Sequence, residues 1–376
     1  MKIVVACDSF KESMSALQAC KAIQRGIHKV NSSIDVECIP MADGGEGTSK
    51  VLNEFYKGNK IICNALDAYG REIEADYFRK ENLAIIEMAC VCGLEQVEVN
   101  MRHPLHSSSY GLGQVIRHAI DHGCKTLLIG LGGSATNDGG LGMLGALGSH
   151  FYDKDHKELE PIIKNIPLIE SVSLCSYPDV QIQVACDVTN PYCGLQGATY
   201  TFGKQKGATA EELDKLESCL CHLNTLLNIN DHPCTGAAGG TSGALYAIGA
   251  QLCSGIELVM KHTQFEKRVM DCDYCFTGEG SFDHQSLNGK TISGIASICK
   301  RHNVPLIVCA GKVNIDSCYE KGITACFSIG NEISSLEKAL KEGEKNLEKT
   351  SENIMSEYST HSEPHRPALR ATYSII

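Results

Sequence analysis

Lys2-Ile3-Val4-Val5-Ala6-Cys7-Asp8-Ser9-Phe10-Lys11 (KIVVACDSFK, residues 2–11) is the stretch on which the fold turns. A short apolar, β-branched run stops at a polar loop, and helix-like sequence follows, which is the rhythm of a βα unit on a parallel sheet. The same grammar returns at Val36–Pro40, Tyr274–Thr277, Pro305–Ala310 and Ala325–Ile329. Ligands of open parallel sheets bind beyond the carboxyl ends of the strands. Four of these runs lead straight into DSFK, ADGGEG, GEGSFD and AGK, so those loops are expected to share one rim.

Between these runs the pattern changes. Lys60–Ala89 holds three strand-like pieces broken at Tyr69-Gly70 and at Lys80–Asn82, the grammar of antiparallel hairpins. Thr126–Leu131 and Gln181–Cys186 again read as strands that end in polar loops, so this segment is expected to build a mixed sheet of its own. The fold class is therefore α/β: a discontinuous Rossmann-like parallel-sheet domain at 1–59 and 263–358, an inserted mixed α/β domain at 60–262, and a loose tail at 359–376. Ser334–Tyr358 alternates acids and bases over an i, i+4 apolar spacing and reads as a packing helix.

Composition narrows the function classes. A chain of 376 residues with net charge -11 has no block of Lys and Arg to follow a nucleic-acid backbone. Its apolar runs are far shorter than the roughly 20 residues of a membrane span, and Met1 leads directly into a strand without a secretory signal, so a cytoplasmic location is expected. The 20 cysteines then read as reduced thiols. Cys272 and Cys275 form a CxxC, and Cys90/Cys92 and Cys219/Cys221 form CxC pairs, none of them in a set with zinc-site spacing.

The glycines gather in GLGGSATNDGGLG (130–142) and GAAGGTSGAL (236–245). Neither is a Walker P-loop, and glycines of this kind serve tight packing or phosphate binding equally well. Ser134, Thr136, Asn137 and Asp138 tip the first towards function, because consecutive polar groups at a strand end suit a phosphate with its metal. Lys11 follows the first strand at the expected start of a helix, where a cation opposes the dipole unless it has an anion to bind. Lys206, in the glycine-flanked loop FGKQKGAT, could grip a phosphate or be solvated. Acids and a base recur at TGEGSFD and at Asn288-Gly289-Lys290-Thr291. No GxGxxG follows the first strand, which argues against an NAD enzyme.

Taken in order, DSFKES, MADGGEGT, GLGGSATNDGG, CDVTNP, FGKQKGAT, GAAGG and TGEGSFD with GKT resemble the type-1 glycerate kinase family over about residues 1 to 357. That resemblance implies a flavodoxin-like domain joined to a second α/β domain, ATP and Mg²⁺, and D-glycerate as acceptor in a cleft between the domains. The implied product is a phosphoglycerate, usually the 2-phosphate. Phosphoryl transfer needs positioning, neutralised phosphate oxygens and a carboxylate to take the hydroxyl proton. Asp187 or Asp283 is expected as base or metal holder, with Lys11 also catalytic. Lys206, Lys290, Asp8, Ser9, Ser134, Thr136, Asn137, Asn190, Gly239 and Gly240 are expected around phosphate and substrate, and Glu279, Asp43 and Asp138 as further magnesium candidates. Lys204 departs from the family's usual proline, Ser281-Phe282 from a basic-aliphatic pair, and the last 18 or so residues have no counterpart. The rival readings are a kinase that makes the 3-phosphate or acts on a related hydroxy acid, and a non-catalytic nucleotide or metabolite sensor. Small-molecule substrates are the expected partners, with neither nucleic acid nor membrane, and a homo-oligomer is left open.

Overall fold

The structure, a computed structural model, describes residues 1–230, 232–283, 291–313, 322–330 and 335–360. The chain divides into two compact units, Met1–Asp43 with the chain from Ile256 onward, and Gly44–Gly255. Its strands, in chain order, are β1 (Lys2–Cys7), β2 (Asp35–Cys38), β3 (Asn59–Leu66), β4 (Glu72–Lys80), β5 (Leu83–Glu87), β6 (Thr126–Gly130), β7 (His150–Tyr152), β8 (Glu158–Leu159), β9 (Ser171–Ser173), β10 (Gln181–Cys186), β11 (Gln251–Ser254), β12 (Tyr274–Phe282), β13 (Leu306–Val313) and β14 (Ala325–Ser328). No helix among the described residues is long and apolar enough to cross a membrane.

The first unit is a parallel sheet of five strands in the order β2-β1-β12-β13-β14. Counted along this unit alone the order is 2-1-3-4-5, the flavodoxin-like arrangement, in which the winding reverses between the first and third strands and ligands bind at that reversal. Here the reversal lies between β1 and β12, whose last shared pair is Cys7 with Gly278. Two expected loops prove to be strand. GEGSF continues β12, and AGK lies within β13, with Glu279 opposite Ala310 and Ser281 opposite Lys312. The glycines that suggested loops instead permit close approach of neighbouring chains: a Cβ on Gly278 would lie 2.2 Å from the Cys309 carbonyl oxygen, and one on Gly311 would lie 2.5 Å from that of Gly280.

The second unit carries a mixed sheet in the order β11-β10-β6-β5-β4-β3, with β3, β4 and β5 antiparallel and β5, β6, β10 and β11 parallel. A small sheet, β8-β7-β9, lies beside it in sequence. This unit begins at Gly44 rather than at residue 60, because the helix Thr48–Tyr56 packs on β4, β5 and β6 and buries Val51 and Leu52 there. It ends at Gly255 rather than 262. The helix Gly255–His262 buries Ile256, Leu258 and Val259, and Ile256 and Met260 lie against Gly294 of the Thr291–Arg301 helix in the first unit. Gly44 and Gly255 are neighbours, since a Cβ on Gly44 would lie 3.0 Å from the Gly255 Cα, so the inserted unit starts and stops at one place.

Each unit has its own core. Ile86, Leu112, Ile116, Leu127, Ile129, Leu144, Val184 and Leu220 fill that of the second unit. Ile3, Val5, Ile23, Ile27, Phe276 and Ile307 fill that of the first, joined by Leu347 and Ile354 of the long helix Leu336–Thr360. That helix was expected from its charge alternation, and it packs on the helix Ala16–Val30 through Gly26. The expected loose tail, 359–376, falls from residue 361 outside the described residues.

A Cβ at Gly26 would sit 2.3 Å from the Glu348 carbonyl oxygen and 2.9 Å from the Ser351 Cβ. In an open helix, Gly→Ala is favourable by roughly 1 kcal/mol, whereas forcing atoms into a packed contact costs about 1–3 kcal/mol. Here the obstacle is backbone and cannot rotate away, so Gly26→Ala is expected to lower stability in urea unfolding. An unchanged or raised midpoint would show that the two helices do not depend on this contact.

Candidate active site

In the second unit the site is built around Lys206. The residue ends a single 3₁₀ turn, Lys204–Lys206, closed by Gly207 at φ 98°. Gly207 lies so close to Arg102 that a Cβ would come within 2.3 Å of the Arg102 carbonyl oxygen, so the turn cannot relax outwards. Lys206 is only 2% exposed, and its Nζ donates to Ser134 Oγ at 3.0 Å and to the Thr136 carbonyl oxygen at 2.6 Å. Loss of water pulls its pKa down to about 7, while the negative charges of Asp138 and Asp187 act in the opposite direction.

The same loop carries two buried atoms with no hydrogen-bond partner among the described residues, Thr136 Oγ1 and Asn137 Oδ1. Asn137 Nδ2 donates to Thr199 Oγ1 at 3.0 Å, which fixes the orientation of the amide. Leaving a buried polar atom unpaired costs about 1–3 kcal/mol, so two such atoms beside a buried ammonium mark a place prepared for something else. Asp187 follows β10 directly and is exposed.

Several residues expected to bind ligand make bonds or close contacts within the protein. Asp138 was a magnesium candidate, yet its Oδ2 accepts from Ser109 N (2.7 Å), Ser109 Oγ (2.8 Å) and Gly142 N (3.1 Å), and its Oδ1 accepts from Gly140 N (3.1 Å). It is a clamp that stops the loop from moving. Gly239 and Gly240 pack against that loop: a Cβ on Gly239 would lie 2.1 Å from the Thr136 carbonyl oxygen, and Gly139 N donates to the Gly239 carbonyl oxygen at 3.0 Å. Asn190 spends its amide on Gln196 O (2.7 Å) and Thr201 Oγ1 (3.3 Å).

In the first unit, Asp8 stands at the reversal between β1 and β12, and its N–H donates to the Gly278 carbonyl oxygen at 2.9 Å. Its carboxylate accepts from Ser9 N at 2.6 Å and from Thr291 Oγ1 at the start of the next helix. Removal from water, and then the charge of Asp43, push its pKa up to about 6, against the pull of Thr291 and Ser9. The Asp8 carboxylate with the charge of Asp43 close enough to bear on it, at the ligand edge of a parallel sheet, is an oxygen donor set of the kind Mg²⁺ takes. Glu279 and Asp283 are half-buried on and just after β12.

Lys11 does not start a helix. Phe10 and Met14 bridge and bury themselves, closing a tight turn in which Lys11 is exposed, and the helix begins only at Ala16, behind a Ser15–Gln18 capping box. The dipole argument for an anion at Lys11 therefore does not apply. Lys290 lies outside the described residues. Sequence reasoning missed Ser109, Thr199 and Glu87. Ser109 and Thr199 had no local signal, being far along the chain from what they touch. Glu87 had one, an acid at the end of the apolar run LAIIE: 3% exposed, it accepts from Gly47 N and from Ser49 N (3.1 Å) and Ser49 Oγ, securing the N-terminus of the Thr48–Tyr56 helix.

The profile of the glycerate kinase family matches residues 3–359 of this chain. The chain belongs to the glycerate kinase family. It is 38% identical over 380 residues to the glycerate kinase of Bacillus cereus, covering 97% of this chain and all of that protein. It is 36% identical to the glycerate 2-kinase of Escherichia coli K12 over 94% of this chain and 97% of that one. A crystal structure from Salmonella typhimurium LT2 that bears the glycerate kinase 2 name superposes with a TM-score of 0.85 at 39% identity, covering 96% of this chain and 98% of the other.

Lys206 leaves a signature in stability. Its pKa is about 7 when folded and near 10.4 in an unfolded chain, so below pH 7 both states carry the proton and the burial penalty is complete. Between pH 7 and about 10 the unfolded state binds more protons, and stability rises with pH. Urea unfolding across pH 6.5 to 9 is expected to show this rise as a difference between wild type and Lys206→Met. Parallel pH curves for the two proteins would mean that Lys206 is not a desolvated cation.

Proposed function

We propose that this chain transfers the γ-phosphoryl group of ATP to the 2-hydroxyl of D-glycerate, with Mg²⁺ as the metal. Family membership supports the reaction class, and the name of the Escherichia coli relative supports the 2-phosphate. The observation that carries the reading is Lys206, a buried ammonium beside the unpaired Thr136 Oγ1 and Asn137 Oδ1. A small hydroxy acid brings what these three lack: negative charge for the ammonium, and hydroxyl donors for the amide and threonine oxygens.

The division of labour follows the two units. Lys206, Thr136 and Asn137 hold glycerate by its carboxylate and hydroxyls. Asp187, near enough to influence the charge of Lys206, accepts the proton of the attacking hydroxyl. Asp8 and Asp43 hold the metal at the ligand edge of the flavodoxin-like sheet, with Glu279 and Asp283 as the acids next along β12. When bound, Mg²⁺ neutralises phosphate oxygens of the nucleotide. Thr291 and the Ser9 N–H orient the Asp8 carboxylate for that task.

Phosphorus NMR of the product from ATP, Mg²⁺ and D-glycerate is expected to show 2-phosphoglycerate. ATP turnover that yields the 3-phosphate, or no phosphorylated glycerate, would refute the assignment. Asp187→Asn should reduce kcat by about 10² to 10⁴ without changing the magnesium requirement, whereas Asp43→Asn should move that requirement to higher concentration and recover rate as metal is added. A normal kcat in Asp187→Asn would pass the role of base to Asp283.

A further inference from the structure

Away from the residues used above, Cys193, Glu217 and Cys221 present two sulfurs and a carboxylate oxygen within 4.8 Å of one another. Glu217 and Cys221 are one turn apart on the helix Ala210–Leu227, so both project from the same face. Cys193 comes from the segment after β10, anchored by the neighbouring Tyr192, which is fully buried and donates its hydroxyl to the Gly139 carbonyl oxygen at 2.7 Å. Glu217 is only 7% exposed. Its Oε1 accepts from Gly194 N and from Cys221 Sγ, the latter at 3.4 Å, but its Oε2 is buried and has no hydrogen-bond partner among the described residues.

A buried carboxylate with one oxygen unpaired is costly unless a cation or a donor meets it. Nothing in phosphoryl transfer requires one here. We infer that Cys193, Glu217 and Cys221 form a binding site for a thiophilic divalent cation of the Zn²⁺ type. Two thiolates and a carboxylate are a ligand set that Zn²⁺ accepts, with its fourth position left to water. On a tetrahedral ion with Zn–S bonds of roughly 2.3 Å, two sulfurs stand about 3.8 Å apart, within reach of the present spacing by small side-chain rotations. Binding releases the two thiol protons to solvent, and the three anionic ligands with the dication leave a net charge of −1.

Burial and the Glu217 charge raise the Cys221 thiol, while a hydrogen bond from Cys193 lowers it. The metal must therefore displace protons, and affinity should increase with pH. Its structural effect is to tie the segment that follows Asp187 to the Ala210–Leu227 helix.

The test titrates reduced, metal-free, full-length protein with Zn²⁺ against a chromophoric chelator. One tight equivalent per chain is expected in wild type and in Cys90→Ser, a half-buried thiol elsewhere in the same unit. At least a tenfold loss of affinity is expected in Cys221→Ser and in Glu217→Gln. Bound Zn²⁺ should also protect Cys221 from alkylation, read by mass spectrometry. If Glu217→Gln fails to fold, Cys221→Ser still decides, because Cys221 is exposed and its replacement opens no core. Equal Zn²⁺ affinity in wild type and Cys221→Ser overturns the proposal. So does a reduced protein that binds no Zn²⁺ tightly but forms a Cys193–Cys221 disulfide in air, which would make the pair a redox couple instead.

Discussion

An ammonium with 2% of its surface exposed, held by one hydroxyl and one carbonyl oxygen, is the constraint around which the second unit is arranged. Neutral oxygens do not repay the hydration that a buried cation loses, and the fall of Lys206 to about pKa 7 measures the imbalance. The loop that supplies those oxygens must therefore be rigid, or it would open and let water in. Asp138 provides the rigidity from inside, through four donors, and Gly239 and Gly240 provide it from outside by contact too close for any side chain. Acid and glycines look like ligand groups in the sequence because ligand binding and loop clamping use the same chemistry: a carboxylate seeking N–H donors, and a backbone with no Cβ.

The elements that the sequence made legible are those whose signal is local. β1 and β10 coincide with their apolar runs, and the three pieces of Lys60–Ala89 form β3, β4 and β5, because hydrophobic pattern and turn residues lie within the segment itself. The missed features depend on partners distant in sequence. GEGSF reads as a loop until β13 lies beside it, and only then do Gly278 and Gly311 become positions where neighbouring chains touch. The start of the inserted unit was placed at its first hairpin, since nothing in Thr48–Tyr56 says which sheet its buried face will cover. The helix after Lys11 was set too early. A Phe10–Met14 turn intervenes, and its cue, two apolar residues four apart flanking polar ones, also fits the first turn of a helix.

In the first unit the position of the acids follows from topology more than from any motif. The winding reversal between β1 and β12 opens a gap at the carboxyl end of the sheet, and whatever residue follows β1 must face it. That residue is Asp8. Its carboxylate is removed from water and lies near the charge of Asp43, both of which disfavour its ionisation, so a cation bound there would stabilise its charged form. Thr291 and Ser9 hold Asp8 in place and favour its charged form through their hydrogen bonds.

The choice of lysine at position 206 carries the last step. Arginine would remain charged in any burial. Lysine is a point charge whose proton can be gained or lost near neutrality once water is excluded, and burial brings Lys206 down to about 7. An anion entering beside it favours the charged form, so Lys206 takes up part of a proton from solvent as the ligand binds. Affinity for a small carboxylate should consequently be greatest below pH 7 and decline above it, as Lys206 has to be protonated before it can pair. The unpaired Thr136 Oγ1 and Asn137 Oδ1 do not titrate, so any recognition that they provide is the same at every pH. On the proposed assignment, charge sets how strongly the loop holds an anion, and the two neutral oxygens select one that carries hydroxyl groups.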